Sequence, residues 1–361
     1  VNTPVQSELA RFDDFDAWFT VPDFTSDGAN VLLNYIGAQP QRIYFGASDG
    51  SKLRQVTGID EFYRNTQPVW SPDGSRLAFV ADDGSGSALA IINADGSGRK
   101  VIASLPTIDY EGASSALLSY SGDGKYIAVT TGGGAAELAD SVVTIVTVAT
   151  GATETVKGAG TATFAPTGHA FAYYSLNSKG VPELRVRSIG GSDSRVAKVG
   201  GVTWSTWAED GIQWAPDGSR IAFVSYDSMD MNAIWHTVSP NGSGLVTQSK
   251  AMVGVEAAWS PDSSKVAVRD ADKNRLQVFA AQGGELAAVQ SVGVLCGWAD
   301  ADTVLGTQYN RAFAHAVSTG TEWWGDYVGR LGVWAERPDG RAAYVTTAEL
   351  EDQRTVTFAS K

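Results

Sequence analysis

The side chains that could do chemistry recur along the chain in one setting. Trp70-Ser71-Pro72-Asp73-Gly74-Ser75-Arg76-Leu77-Ala78-Phe79-Val80 returns as Trp214-Ala215-Pro216-Asp217-Gly218-Ser219-Arg220-Ile221-Ala222-Phe223-Val224, and again as Trp259-Ser260-Pro261-Asp262-Ser263-Ser264-Lys265-Val266-Ala267-Val268. An aspartate beside serines suggests acid–base or nucleophilic work, but the neighbouring residues point to a turn. Pro presets φ at the second turn position, Asp bonds back to its own backbone, and Gly accepts positive φ. The motif therefore reads as a hairpin, with its aspartates as turn residues.

Other chemistries fare no better. Hydrolases on related repeats carry a Gly-x-Ser-x-Gly elbow. That spacing occurs once, at Gly46-Ala47-Ser48-Asp49-Gly50, without the strand-to-helix setting that the elbow needs, and the glycine-flanked Ser85, Ser97 and Ser243 fall in hairpin turns. The three histidines, His169, His236 and His315, are far apart and lack metal-ligand spacing. His169 takes the position of Ser75 and Ser219 and is expected to be exposed; His236 and His315 fall in predicted third strands. Asp270-Ala271-Asp272-Lys273-Asn274 looks like a calcium loop but lacks the glycine and distal glutamate of an EF-hand. It reads as a hairpin. The expectation is no cofactor, with a structural calcium the one cation left open. Cys296 is the only cysteine, so no intrachain disulfide forms, and its apolar surroundings read as a buried strand.

The elements follow from the repeat. Weaker copies begin at Phe24, Tyr120, Phe164, Trp298 and Glu336, so copies start on average about every 45 residues, the length of one four-stranded propeller blade. Within a blade the aromatic ends an inner strand and supplies an apolar plate for the neighbouring blade. Asn-Gly and Asp-Gly turns then separate alternating runs, as at Asp95-Gly96 and Asn241-Gly242. Asn241-Gly242-Ser243 also fits a glycosylation sequon, though a turn is the simpler account. Helical periodicity is nearly absent; residues 135–140 allow one turn at most. The predicted fold is all-β, a single β-propeller over residues 1–361 with about eight four-stranded blades. Seven blades plus an irregular cap is the alternative. Val5–Phe12, within the lead-in 1–20, is expected to supply the last blade's fourth strand and close the ring of repeats 21–361.

Composition bounds the partners. The 361 residues carry a net charge of −13, from 27 basic and 40 acidic side chains, and 40 glycines. Such a surface repels phosphate backbones and anionic membranes, so nucleic acid is not an expected partner. No apolar run approaches the ~18–20 residues of a membrane span. Nor is there a basic then apolar leader, and any signal peptide is expected to be gone already.

The Trp-Ser-Pro-Asp-Gly-x-x-Leu-Ala-Phe pattern with its following Asp-Gly hairpin resembles the repeat of TolB-type, WD40-like propellers over residues 24–358. TolB itself is a periplasmic partner of outer-membrane lipoproteins, with a helical N-terminal domain and six blades. This chain departs from it on both counts. The resemblance implies the propeller fold and a periplasmic, cell-envelope or extracellular setting, and leaves the function open, since such repeats also occur in peptidases and polysaccharide lyases.

Binding residues are sought in the long loops, because short ones carry only structure. Three connections into a new repeat are long, at 58–66, 104–115 and 200–211. They pair acids with aromatics: Asp60, Glu61 and Tyr63; Asp109, Tyr110 and Glu111; Trp204, Trp207, Glu209 and Asp210. Second-to-third-strand loops at 130–141 and 226–232 share their face, the latter opening on Tyr226 and Asp227. Together they predict an acidic, aromatic mouth. Trp323 and Trp324, in a predicted fourth strand, should point to opposite faces. Such a mouth fits a protein partner carrying Lys or Arg, or sugar rings stacked on aromatics. The expectation is a monomeric, non-catalytic binding scaffold for a protein partner. The alternative is a glycan-binding module or carbohydrate-active enzyme; a cation-dependent enzyme of unrecognised type comes third.

Overall fold

A computed structural model describes residues 5–12, 18–19, 23–24, 30–36, 42–47, 52–55, 68–82, 86–106, 116–132, 138–199, 211–226, 233–248, 256–270, 273–309, 311–327, 333–336, 342–350 and 353–360. Among these the chain forms eight antiparallel sheets and a single short helix, the 3-10 turn Leu138–Asp140.

Each sheet is one sequence repeat. The second sheet runs Val69–Trp70, Arg76–Asp82, Ser87–Asn93 and Lys100–Ser104. The third runs Ala116–Tyr120, Tyr126–Thr131, Val142–Thr147 and Thr153–Lys157. The fourth runs Ala159–Phe164, Ala170–Leu176, Pro182–Ser188 and Asp193–Lys198. The fifth comprises Ile212–Trp214, Ile221–Tyr226, Ala233–Val238 and Val246–Thr247. Next come Glu256–Trp259, Lys265–Asp270, Arg275–Ala280 and Glu285–Gln290 as the sixth. Val292–Trp298, Thr303–Gln308, Arg311–Ala316 and Glu322–Tyr327 make the seventh. The first sheet is built on Asn30–Ile36 and Arg42–Ala47, with the short strands Trp18–Phe19, Asp23–Phe24 and Arg54–Gln55.

The eighth sheet joins the two ends of the chain. Val333–Glu336, Ala342–Leu350 and Gln353–Ser360 are followed by Val5–Phe12, which pairs antiparallel with Gln353–Ser360 from Val5↔Ser360 to Phe12↔Arg354. Predicted and observed N-terminal strands coincide.

The core lies between sheets. Six apolar clusters each draw on two consecutive sheets. One holds Ala78, Val80, Leu89 and Ile91 of the second sheet with Ala116, Ile127 and Val129 of the third. The alanine after the motif turn has no exposure in five copies, Ala78, Ala128, Ala172, Ala222 and Ala267, because the neighbouring sheet leaves no room for a larger side chain. The motif tryptophans do more than fill space. The indole N–H of Trp214 donates to the Thr163 carbonyl at 3.0 Å, that of Trp259 to Gln213 at 3.3 Å, and that of Trp298 to Ala258 at 3.0 Å. In each case the acceptor lies on the innermost strand of the preceding sheet, so one side chain both packs and stitches.

Candidate functional site

The strand order gives each sheet two unlike ends. Motif hairpins join first to second strands at one end. Second-to-third-strand loops and connections into the next sheet leave from the other.

At the hairpin end the aspartates hold their own turns. Asp73 Oδ1 accepts from Ser71 Oγ at 2.6 Å, the Ser75 N–H at 3.0 Å and Ser75 Oγ at 2.8 Å. Ser260, Asp262 and Ser264 repeat the arrangement. These bonds, the Ser71 hydroxyl first, hold the Asp73 carboxyl below its ordinary value, and the Ser219 N–H does the same for Asp217. At Asp123 and Asp262 partial burial works the other way, and the hydrogen bonds outweigh it. Gly74 takes φ 65°, and Ser263 at the same motif position takes 62°. Such carboxylates stay ionised and engaged, which suits a turn and does not suit a general acid.

The hairpins also touch one another. The Asp123 N–H donates to the Gly168 carbonyl at 3.1 Å, and a Cβ on Gly122 would fall 2.3 Å from the Pro166 carbonyl oxygen. His169, half exposed, places Nδ1 3.3 Å from Asp123 Oδ2. The Asp217 N–H donates to Ser263 Oγ at 3.0 Å, and Lys265 Nζ to the Ala301 carbonyl at 2.7 Å. Between the second and third hairpins lies a cleft of about 470 Å³, lined in part by Asp73, Arg76, Tyr120, Asp123 and Val148.

At the loop end, the predicted mouth residues Asp60, Glu61, Tyr63, Asp109, Tyr110, Glu111, Trp204, Trp207, Glu209, Asp210 and Asp227 lie outside the described residues. Tyr226 is described as the last residue of its strand, without its side chain. Strand ends that border these loops in sequence are described, and they are hydrogen-bonded in place. The Tyr174 hydroxyl lies 2.7 Å from the carbonyls of both Gly211 and Val224 and accepts the Val224 N–H at 3.1 Å. Leu138, from the 130–141 loop, is buried in the same cluster as Tyr174.

Three carboxylates described at this end are paired. Glu183, nearly buried, accepts from Asn177 at 3.0 Å and lies near Arg185 and Arg195. The Asn177 amide and the two guanidinium groups hold its carboxyl down against the effect of burial. Glu256 meets Arg269 at 2.7 Å and the Leu295 N–H at 2.8 Å, and Asp270 meets Lys273 at 2.9 Å. Asp270 is thus an ion-pair partner at the end of its strand; Ala271 and Asp272 lie outside the described residues.

One aromatic here escaped sequence reading. Tyr309 is 72% exposed and holds φ 50°, with its hydroxyl donating to Ser291 Oγ at 2.9 Å. It sits in a tight second-to-third-strand turn, too short to stand out in the sequence. Trp324 packs against Phe313 with ring centroids 5.3 Å apart, and Trp323 pairs with Ala314 on the alternate face. Cys296 lies within its predicted strand; its side chain is outside the described residues.

The histidines serve three different sheets. His236 Nε2 lies 2.8 Å from Ser225 Oγ and its Nδ1 3.2 Å from Thr247 Oγ1, and the ring stacks on Phe223. Burial pushes its imidazole down to about 4, so the Ser–His pair is a poor nucleophile–base couple. His315 Nδ1 is 3.6 Å from Glu322 in the seventh sheet. The three do not converge. Among the described residues no group of three His, Cys, Asp or Glu side chains could hold a metal ion, and no helix is long and apolar enough to cross a membrane.

No family model matches the chain, and no curated protein does. Solved structures do. The propeller of Dos1 is 9% identical over 98% of this chain and 95% of its own, with a TM-score of 0.67. An oligogalacturonate lyase in complex with manganese is 12% identical over 100% of this chain and 98% of its own, at 0.59. TolB from Acinetobacter baumannii is 19% identical over 71% of this chain, which spans 62% of TolB's length, at 0.47. At such identities likeness speaks for architecture alone. The antiparallel sheets, the stitching tryptophans and the likeness to the Dos1 propeller and the lyase agree: the chain folds as a β-propeller.

Proposed function

We propose that the eight sheets are eight blades of one propeller domain over residues 1–361, with Val5–Phe12 as the closing strand. The register from Val5↔Ser360 to Phe12↔Arg354 supports this. On that frame the chain acts as a non-catalytic binding scaffold of the envelope or extracellular space, meeting a protein partner at the loop end.

The observation that carries this reading is the contrast between the two ends. At the hairpin end the repeated carboxylates are held by their own serines. At the other, the described strand ends are hydrogen-bonded in place, Tyr309 is exposed, and the intervening sequence is rich in acids and aromatics. Aromatic side chains on a rigid base make strong contact residues at low entropic cost. A net charge of −13 favours a basic partner. Affinity purification with the wild type and with Trp204→Ala plus Trp207→Ala tests it. The expected result is a partner captured by the first and lost by the second, at equal thermal stability. A partner retained by the double variant refutes the mouth.

The second reading is glycan binding or carbohydrate chemistry, supported by the fold neighbour that is an oligogalacturonate lyase. A polysaccharide pull-down that succeeds where no protein partner is captured would favour it.

A further inference from the structure

The hairpin end has one junction unlike its counterpart. In the fifth sheet Arg220 is only 4% exposed, and its guanidinium donates to Gln282 Oε1 at 3.0 Å, Thr237 Oγ1 at 3.1 Å and the Gly244 carbonyl at 2.6 Å. Arg76 is the same residue of the motif in the second sheet. Strand register puts Ile91 where the fifth sheet has Thr237, and Ala149 where the sixth has Gln282. Gly124 stands in the place of Ser263, whose hydroxyl accepts the Asp217 N–H. Three protein groups that close the fifth–sixth junction are therefore missing at the second–third. There Arg76 is exposed, and its guanidinium makes no hydrogen bond or ion pair among the described residues. The cleft of about 470 Å³ opens at this junction, within the size range of small-molecule sites.

We infer that this cleft is a binding site for a neutral saccharide. At Arg220 the two terminal guanidinium nitrogens donate to an amide, a hydroxyl and a carbonyl, all neutral oxygens. A polyol offers the same kind of oxygen to Arg76, without bringing an anion to a chain of net charge −13. The rest of the lining is mixed in the way a polyol needs. Asp73 spends Oδ1 on its turn, which leaves Oδ2 to accept from a hydroxyl. Pro72, Val148 and the Tyr120 ring offer apolar wall for C–H faces. The Tyr120 hydroxyl is buried with no hydrogen-bond partner among the described residues, so this lining residue still lacks a donor or acceptor. The site is distinct from the loop-end mouth and does not depend on it.

The test is a titration of the wild type with glucose, galactose, mannose, maltose and cellobiose, read by saturation-transfer NMR and calorimetry. At least one sugar is expected to bind with a Kd of roughly millimolar order, as suits a few hydrogen bonds in an open cleft. Arg76→Ala should weaken it roughly tenfold or more. Ala149→Gln, at an exposed position, should do the same by supplying Arg76 with the partner that Arg220 has. Ile91→Thr can be added to it, and thermal melts keep loss of fold apart from loss of binding. Trp204→Ala plus Trp207→Ala should leave binding unchanged. If no sugar of the panel binds the wild type, or if binding survives both Arg76→Ala and Ala149→Gln, the inference is wrong.

Discussion

Two junctions of one propeller carry the same motif and put it to different use. Between the fifth and sixth sheets, Arg220 is buried and held by three oxygens, Ser263 caps the Asp217 N–H, and Trp259 stitches back to Gln213. Between the second and third, the Arg76 guanidinium stands free of described partners, Gly124 offers no hydroxyl, and Tyr120 replaces the tryptophan. The turn itself is the same in both. What changes is whether neighbouring positions return the hydrogen bonds that the motif offers, so one junction is sealed and the other left as a cleft.

The largest effect is expected from Arg220→Ala, which removes a buried side chain with its three hydrogen bonds and leaves a void. It should cost about 2–4 kcal/mol by urea unfolding, against less than about 0.5 for Arg76→Ala. Equal costs would erase the distinction. Acid should act next, through His236 of the fifth sheet. Its folded pKa is about 4, below the ordinary imidazole value of about 6.5. As pH falls between these values the unfolded chain takes up a proton that the folded chain refuses, so stability declines. The loss should reach about 2–3 kcal/mol near pH 4 and be largely absent in His236→Gln. Unfolding series at pH 7 and pH 4.5 measure most of it, before the depressed aspartates begin to protonate. Trp259→Phe, which removes one interblade donor and some buried surface, should cost about 1–2 kcal/mol. Tyr120→Phe should be the smallest change, neutral or stabilising by up to about 0.5 kcal/mol, because the hydroxyl it removes has no partner. A clear destabilisation would show that the two junctions are more alike than their side chains suggest.

Much of the frame could be read from the residues. Pro-Asp-Gly chemistry located the hairpins, and a leftover strand before the first repeat pointed to the sheet completed by Val5–Phe12. Turn signals are local, so a sequence displays them directly. The cleft was not legible in that way. Arg76 and Arg220 have near-identical neighbours in sequence, and their fates differ through Ile91 against Thr237 and Ala149 against Gln282. Those contacts cross strands and sheets, and they can be aligned only once the register is known. Tyr309 escaped for a related reason, since a short turn gives no sign of how far its side chain projects. The acid and aromatic loop residues on which the proposed mouth rests are nearly all outside the described residues.

The pairing of Val5–Phe12 with Gln353–Ser360 also bears on how the molecule is made. Seven sheets can each form from contiguous sequence as they emerge from the ribosome. The eighth must wait for strands about 350 residues apart, and joining such distant segments is slow because loop entropy is lost before contacts are gained. Its first strand therefore spends synthesis as an unpaired β-edge, exposed to misassociation with other chains. This last seam should be both the final step of folding and the first place to open.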